Sequence, residues 1–503
     1  MYRRSTPGQL SFENFYLPFG GKLSGENRWV KLAQLVPWEE FEGQYAEQLS
    51  EGMGAPAKSF RMALGTLIIK ERLGTSDLET VEQIRENPYL QYFLGLSEYS
   101  DKAPFDASML VHFRKRVNRE LIGQINEAIV KQSDENDSSK QEGTATPSSD
   151  SIDENNDDNE PPSASNAGQL IVDASCTPAD IRYPTDLSLL NEAREHTEHI
   201  IDLLYEQVRE QVAPKPRTYR RKARQQYLSI AKQRRVKPKM RRKAVGQQLR
   251  YLRRNLAHIA ALIAAGASLA QLDNQLYRKL LVISELFRQQ QWIYQQRQHR
   301  IDERIVSIAQ PHVRPIVRGK AGTPVEFGAK IAISCVDGYV FLDHLDWNNF
   351  NESTDLPDQI ERFQQRFGHY PASVPADQIY RTRANHQYCR ERGIRLSGKP
   401  LGRAKQSQQA DIQKQAQADA AIRNQVEGKF AVGKRRFSLG PVMAKLAPTA
   451  ETTIAITFLV MNLEQLLRQF LFVFFAVVLS QRLRLLNCWQ WNCRDPQCFL
   501  RVA

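Results

Sequence analysis

The chain has 503 residues, 41% of them hydrophobic and 25% charged, a composition that excludes a wholly disordered protein and fits a soluble globular one of two or three domains. A formal net charge of +13 favours a polyanionic partner, either nucleic acid or an anionic membrane surface. Six cysteines, with no apolar signal segment after MYRRSTPGQLSFENF, point to the reducing cytoplasm and exclude a disulfide framework.

Residues 1–131 are expected to form a compact helical domain. Leu64, Leu67 and Ile68, then Val81, Ile84 and Leu90, recur at helical intervals, with Asn87-Pro88 as a break. The domain closes on FDASMLVHFRKRV, where Asp106 or Ser108 caps a helix bearing His112, Arg114, Lys115 and Arg116, whose charged side suits either phosphates or water. Residues 132–168 have almost no apolar side chain, and nearly all their charges are acidic, so a disordered linker is expected.

QLIVDAS reads as a buried strand that delivers Asp173 at its C-terminal end. Asp180 and Asp186 compete for this role, but Asp180 lacks a preceding apolar strand and Asp186 sits in a Pro-Thr-Asp turn. Residues 190–305 then read as a helical insertion. Within it, residues 214–255 contain no Asp or Glu, and Tyr219, Tyr227 and Tyr251 are interleaved with the bases. A solvated helix face rarely goes so long without a balancing acid, so Arg220, Arg221, Lys222, Arg241, Arg242 and Lys243 are candidate nucleic-acid contacts.

PVEFGAKIAISCVDG and YVFLDHLDW alternate like two antiparallel strands joined at Asp337-Gly338. Asp337 and Asp343 are expected to face solvent and His344 to be structural. Arg318, Lys320 and Lys330 would touch DNA or guard a strand edge. A helix over DLPDQIERFQQRF follows, then a strand ending at Asp377, a helix over RTRANHQYCRERG, a strand at IRLSG, and the long helix of Glu427. The run FLFVFFAVVLS falls short of the ~20 residues a membrane span needs; it reads as a buried helix. Cys488, Cys493 and Cys498, in the tail over 481–503, lack the spacing and histidines of a zinc site.

This order predicts a mixed α/β fold in which a three-strand meander sets the first and fourth strands side by side. Asp173 and Asp377 then share one rim, and the last helix brings Glu427 across it. Clustered carboxylates repel one another unless a cation intervenes, and all-oxygen donors suit Mg²⁺ or Mn²⁺. On that helix Arg423, Glu427 and Lys434 lie within roughly 40° of one another around the axis.

The spacing of these three residues resembles the signature around the last acid of the DDE transposases of bacterial insertion sequences, in the large group typified by the fifth insertion sequence. LGTLIIKERLGTSDLETVEQIRENPYLQYFLGL and FDASMLVHFRKR resemble that group's N-terminal helical domain. LIVDASCTPADIRYPTDLSLLNEARE, GKAGTPVEFGAKI and VPADQIYRTRANHQYCRERGIRLSG resemble successive blocks of its catalytic domain. The resemblance implies an RNase H-like catalytic core over 169–189 and 306–480 with Asp173, Asp377 and Glu427 as the metal-binding triad. It also implies two Mg²⁺ or Mn²⁺ ions, DNA phosphates held by Arg423 and Lys434, and strand cleavage and transfer at one site. The expected partners are the element's terminal inverted repeats and target DNA, bound by a homodimer in the cytoplasm at the nucleoid, with no membrane role. Ala420 stands where the signature usually carries a tyrosine.

A non-catalytic basic DNA- or RNA-binding protein would explain the charge but not three acids at the ends of the right elements. A peripheral membrane protein would use the basic stretch, yet TTIAITFLVMNLEQLLRQFL matches the family's closing core helix.

Overall fold

The computed structural model describes residue 2 and residues 11–18, 20–49, 56–141, 166–317, 325–398 and 409–492. Helices α1 (Arg28–Leu35), α2 (Trp38–Glu47), α3 (Phe60–Leu73), α4 (Asp77–Glu86), α5 (Pro88–Phe93), α6 (Met109–Arg116) and α7 (Arg119–Gln141) come first. Local chemistry sets several of their bounds. Ser59 caps α3 by accepting from the Met62 amide, and Ser76 caps α4 through Glu79. Asn87 caps α5, with Pro88 at its first position, as the Asn-Pro break predicts. Helix extends past residue 131, because α7 continues to Gln141; of the remainder of the expected linker over 132–168, residues 142–165 lie outside the described residues.

Strand β1 (Ile171–Pro178) is followed by the long helices α8 (Asp186–Gln207), α9 (Arg220–Ala231), α10 (Pro238–Ala264) and α11 (Asn274–Gln296). Of these, α8, α10 and α11 pack together through two apolar clusters, one around Ile200, Leu204 and Leu262 and one around Leu190, Leu252 and Leu286, while α9 buries Ala223. After them come β2 (Arg314–Val317), β3 (Val325–Val336) and β4 (Tyr339–Asp346), then α12 (Leu356–Phe367), β5 (Ser373–Val374), α13 (Arg383–Glu391), β6 (Arg395–Leu396), α14 (Gln409–Arg436) and α15 (Ala447–Asn492). The expected order of strands and helices is present, with β2 as an additional short strand.

The central strand β3 pairs antiparallel with β1, β2 and β4. Asp337 and Gly338, both at positive φ, make the tight β3–β4 turn. At the far end of β3, Gly328 faces Pro178, and a Cβ there would lie 1.9 Å from the Thr177 carbonyl oxygen, so only glycine allows this approach. A parallel bridge between Gln169 and Ser373 attaches β5 to the start of β1, and β5 pairs parallel with β6. The strands therefore run across the fold in the order β4, β3, β1, β5, β6.

One continuous apolar core joins the first helices, the sheet and α15, from Phe15 to Leu467. Buried polar ties fix the same junction. Glu71 of α3 accepts from Ser438 N at 2.8 Å and from Thr457 of α15 at 2.5 Å. Asn462 of α15 donates to Asn126 of α7 at 2.9 Å and to the Val340 carbonyl of β4 at 2.8 Å. Among the described residues no helix is long and apolar enough to cross a membrane. The segment 470–480 is helical; its side chains, and residues 493–503, lie outside the described set.

Candidate active site

The apolar sequence of β1 buries it against β3, with Asp173 opposite Ile333. Its carboxylate accepts from the Ala174 amide at 2.8 Å. Burial pushes Asp173 up to about 6, Glu352 and Asp377 add to the rise, and the Ala174 hydrogen bond and Arg423 oppose it.

Leu170 N donates to Ser373 O at 3.0 Å beside the Gln169–Ser373 bridge. Four residues further along from this bridge stand Asp173 and Asp377, so the parallel register sets the two aspartates at the same level, Asp173 as the third residue of β1 and Asp377 three residues past β5. Asp377 is exposed and caps the turn Gln378–Tyr380, its side chain accepting from Gln378 N at 2.7 Å.

Helix α14 crosses this rim. Val426 and Phe430 bury its apolar side, and Asp419 locks it to β6 through two 2.9 Å bonds from Arg395. The Arg423 guanidinium reaches Asp377 at 3.4 Å and Glu427 at 3.9 Å. Lys434, two turns beyond Glu427 on the same side, donates to the Ser175 hydroxyl of β1 at 3.0 Å. Glu427 itself remains 61% exposed. The donor set is all carboxylate oxygen, which fits a hard divalent cation. As placed, no three Asp, Glu, His or Cys side chains among the described residues are gathered closely enough to hold an ion, and Arg423 spans the gap between two of the acids.

Several expectations about neighbouring charges are corrected. Asp343 does not face solvent. It is the extra residue where the β3–β4 register shifts between Ala332–His344 and Ile333–Leu342, and it points inward to Arg366 at 3.0 Å and Gln359 at 3.0 Å. Lys330 guards no edge: it lies buried on the central strand, paired with Glu352 at 2.9 Å. Arg318 and Lys320 fall outside the described residues. Asp337 is exposed, and His344 pairs with Asp355 at 2.8 Å while stacking on Phe350. Asp186 starts α8 and binds Arg304 at 2.6 Å, and Asp180 is exposed. Glu352 had no sequence signal, since it ends no strand and lies in a polar turn.

The basic candidates divide. Arg114 is buried and held by Asp77, whereas Lys115 is exposed and Arg116 half-buried. Arg220 makes a two-pronged pair with Asp202 of α8 at 2.9 and 3.0 Å. Arg221, Lys222, Arg241, Arg242 and Lys243 are all exposed; Arg242 also donates to Tyr294 O at 2.8 Å. Beside them the exposed Tyr219 stacks under Arg254, whose guanidinium carbon lies 4.5 Å from the ring centre.

Comparison with known families matches residues 374–464 to a transposase DDE domain and residues 18–116 to a transposase domain (DUF772). The first match spans Asp377, Arg423, Glu427 and Lys434, and Asp173 precedes it. The chain is also 30% identical over 197 residues to the uncharacterized protein ORF8 in the nfe locus of Rhizobium meliloti, an alignment covering 38% of this chain and 84% of that one. No solved structure matches.

Proposed function

Because the chain belongs to the DDE transposases of bacterial insertion sequences, we propose that it cuts the ends of its element and joins them to target DNA, using an RNase H-like core with Asp173, Asp377 and Glu427 as metal-holding carboxylates. The observation that carries this reading is the β1–β5 register, which delivers two aspartates to one rim beneath the helix of Arg423 and Glu427.

Mg²⁺ or Mn²⁺, as two ions, would supply activation of a water or a DNA 3′-hydroxyl and stabilisation of the leaving oxygen. The chain's own residues position the substrate around them. The Ala174 amide fixes Asp173 in its enclosure, and the Gln378 amide fixes Asp377. Arg423 balances the acids in the free protein and turns to a phosphate when DNA and cations arrive; Lys434, reaching across to Ser175, holds a second phosphate. With a tyrosine absent at position 420, these two bases do this work without an aromatic neighbour on the preceding turn.

Residues 1–131 favour the element's terminal inverted repeats, presenting Lys115 and Arg116 on a helix that buried Arg114 anchors. The helices of residues 190–305 add sequence-independent affinity through Arg221, Lys222, Arg241, Arg242 and Lys243, while Arg220 contributes less because Asp202 already neutralises it. Two chains pair two ends, in the cytoplasm at the nucleoid, since cutting and joining must be concerted.

The test is incubation of the purified chain with labelled end-sequence DNA and a target plasmid, with Mg²⁺, Mn²⁺ or EDTA. Metal-dependent nicks at the element boundary and joined products are expected. Tight DNA binding without any cleavage under all three conditions would favour the non-catalytic alternative.

A further inference from the structure

Beyond the C-terminal end of β1, residues 180–188 meet α9, α10 and the returning segment 304–310, and two adjoining hollows lie between them. The stretch Arg182-Tyr183-Pro184 forms their common wall, joined by Tyr227 of α9. The smaller, of about 370 Å³, reaches back to Asp180 and Gln310. The larger, of about 510 Å³, is bordered by Arg241, Arg304 and the apolar Ile230 and Val236. Both volumes fall within the roughly 300–1,000 Å³ of ligand sites. The wall is held at both ends. Gln310 Nε2 donates to Asp180 O at 2.9 Å on one side, and the Thr185 hydroxyl accepts from Ser188 N at 3.1 Å on the other.

An exposed tyrosine beside a groove is ordinarily incidental, and three observations set Tyr183 apart. Its ring is braced edge-on by Phe327, with centres 5.4 Å apart, yet 69% of the residue stays exposed, so a fixed aromatic surface is offered to a ligand. Gln310, only 2% exposed, keeps a buried side-chain oxygen without a hydrogen-bond partner at the smaller hollow. Its nitrogen is committed to Asp180 O, so the unmet group is an acceptor, which a ligand N–H satisfies. Three guanidiniums, of Arg182, Arg241 and Arg304, border the larger hollow against one acid, Asp186, which Arg304 already holds at 2.6 Å. Arg182 and Arg241 have no hydrogen bond or ion pair among the described residues. A stacking surface, an acceptor for an N–H edge and free guanidiniums for an anion match the base, base edge and phosphate of a nucleotide. Asp180, Glu192 and Glu195 border the smaller hollow, which places the base there and the phosphate in the larger one.

We propose that the paired hollows bind one nucleotide, its base against Tyr183 with an N–H donated to Gln310 and its phosphate among Arg182, Arg241 and Arg304. It requires no cation at the rim, so either reading can fail without the other. The same chemistry is carried by an unpaired nucleotide in DNA and by a free one, and the experiment has an arm for each. In the first, fluorescence anisotropy in EDTA measures binding of the full chain to labelled duplexes that carry at one position an unpaired adenine, an unpaired unsubstituted purine, which lacks the amine, or an abasic residue. In the second, the thermal midpoint is followed with dAMP and with deoxyadenosine, which lacks the phosphate. The variants are Tyr183→Ala, Tyr183→Phe and Gln310→Met.

The wild type should prefer the adenine duplex to the abasic one by about 10-fold or more, with purine between them. Tyr183→Ala should lose most of that preference and Tyr183→Phe keep it, while Gln310→Met should bind adenine and purine alike. A preference in DNA without a response to dAMP assigns the site to DNA. A midpoint raised by dAMP more than by deoxyadenosine, and not in Tyr183→Ala, assigns it to a free nucleotide; both outcomes support the proposal. Equal binding of all three duplexes by the wild type, together with no response to dAMP, would overturn it, as would a preference that Tyr183→Ala retains. Adenine and purine bound alike by the wild type, a comparison that needs no variant to fold, would overturn the role of Gln310.

Discussion

The acidic rim and the basic helices α9–α10 use charge in opposite ways. At the rim each acid is set by a strand, a cap or a place on α14, and its partners are few: Arg423 is shared between Asp377 and Glu427 at 3.4 and 3.9 Å. On α9 and α10 most of the bases project into solvent, and few are held by a neighbour, among them Arg220 by Asp202 and Arg242 by the Tyr294 carbonyl. Under the proposed function, chemistry that needs atoms within ångströms would use the rim, while attraction to a polyanion, which needs only density of charge, would use the exposed helices. A third pattern marks purely structural charge: Asp343 and Arg366 are almost wholly buried, and Glu127, Gln359 and Ser334 complete their bonds.

The contrast is sharpest for single substitutions at the rim. Asp173→Asn, Asp377→Asn or Glu427→Gln should each lower cleavage of labelled end DNA by about 10³-fold or more while leaving its binding within a few-fold, because each removes a proposed cation ligand and leaves the phosphate-binding bases in place. Wild-type cleavage in any of the three would remove that residue from the rim's chemistry.

Arg366→Met probes the opposite case, in which the acid's partners are complete. Leaving buried Asp343 with only Gln359 at 3.0 Å and Arg362 at 4.0 Å should cost up to about 3–5 kcal/mol in urea unfolding. A loss under 1 kcal/mol would show that Asp343 is not held as the bulge geometry requires.

For the helices, neutralising Arg220, Arg221, Lys222, Arg241, Arg242 and Lys243 together should weaken binding to end and random DNA alike. The slope of log affinity against log salt should flatten by about one for each phosphate that is no longer neutralised. Any single one of these changes should shift affinity less than threefold. An unchanged slope in the sixfold variant would assign this face to solvent or to another protein.

The smallest effect concerns the seam between the two regions. His312 packs edge-on against Trp347, near the cluster of Ala179, Val306 and Val313. Burial first, then nearby Arg314, lowers its pKa to about 4. A depressed folded value means the stability from neutral His312 is complete above the ordinary value near 6.5 and is lost as pH falls towards 4. His312→Phe should therefore remove about 1–2 kcal/mol of the acid-induced loss in that window, the figure reduced for partial exposure. Identical pH dependence of unfolding in variant and wild type would exclude His312 as the sensitive group.

Much of the framework was legible in the sequence because it is written in short-range rules. Asp337-Gly338 forces the hairpin, Asn87-Pro88 restarts a helix, and the Arg423, Glu427 and Lys434 spacing places three side chains along one side of α14. The apolar run before Asp173 likewise marks a buried strand, although β1 does not end at the acid as expected but continues to Pro178, because its pairing with β3 extends to Gly328. What periodicity leaves open is which element covers which face. Asp343 turned inward because a bulge re-aimed it towards Arg366, 23 residues away, and Lys330 became buried because its strand lies at the centre of the sheet. Arg114 looks like its neighbours in FRKR, yet Asp77 from another helix takes it out of solvent. Sequence determined where acids and bases lie along each element; only tertiary packing decided which of them meet, because the partner that neutralises or exposes a charge is supplied by a distant part of the chain.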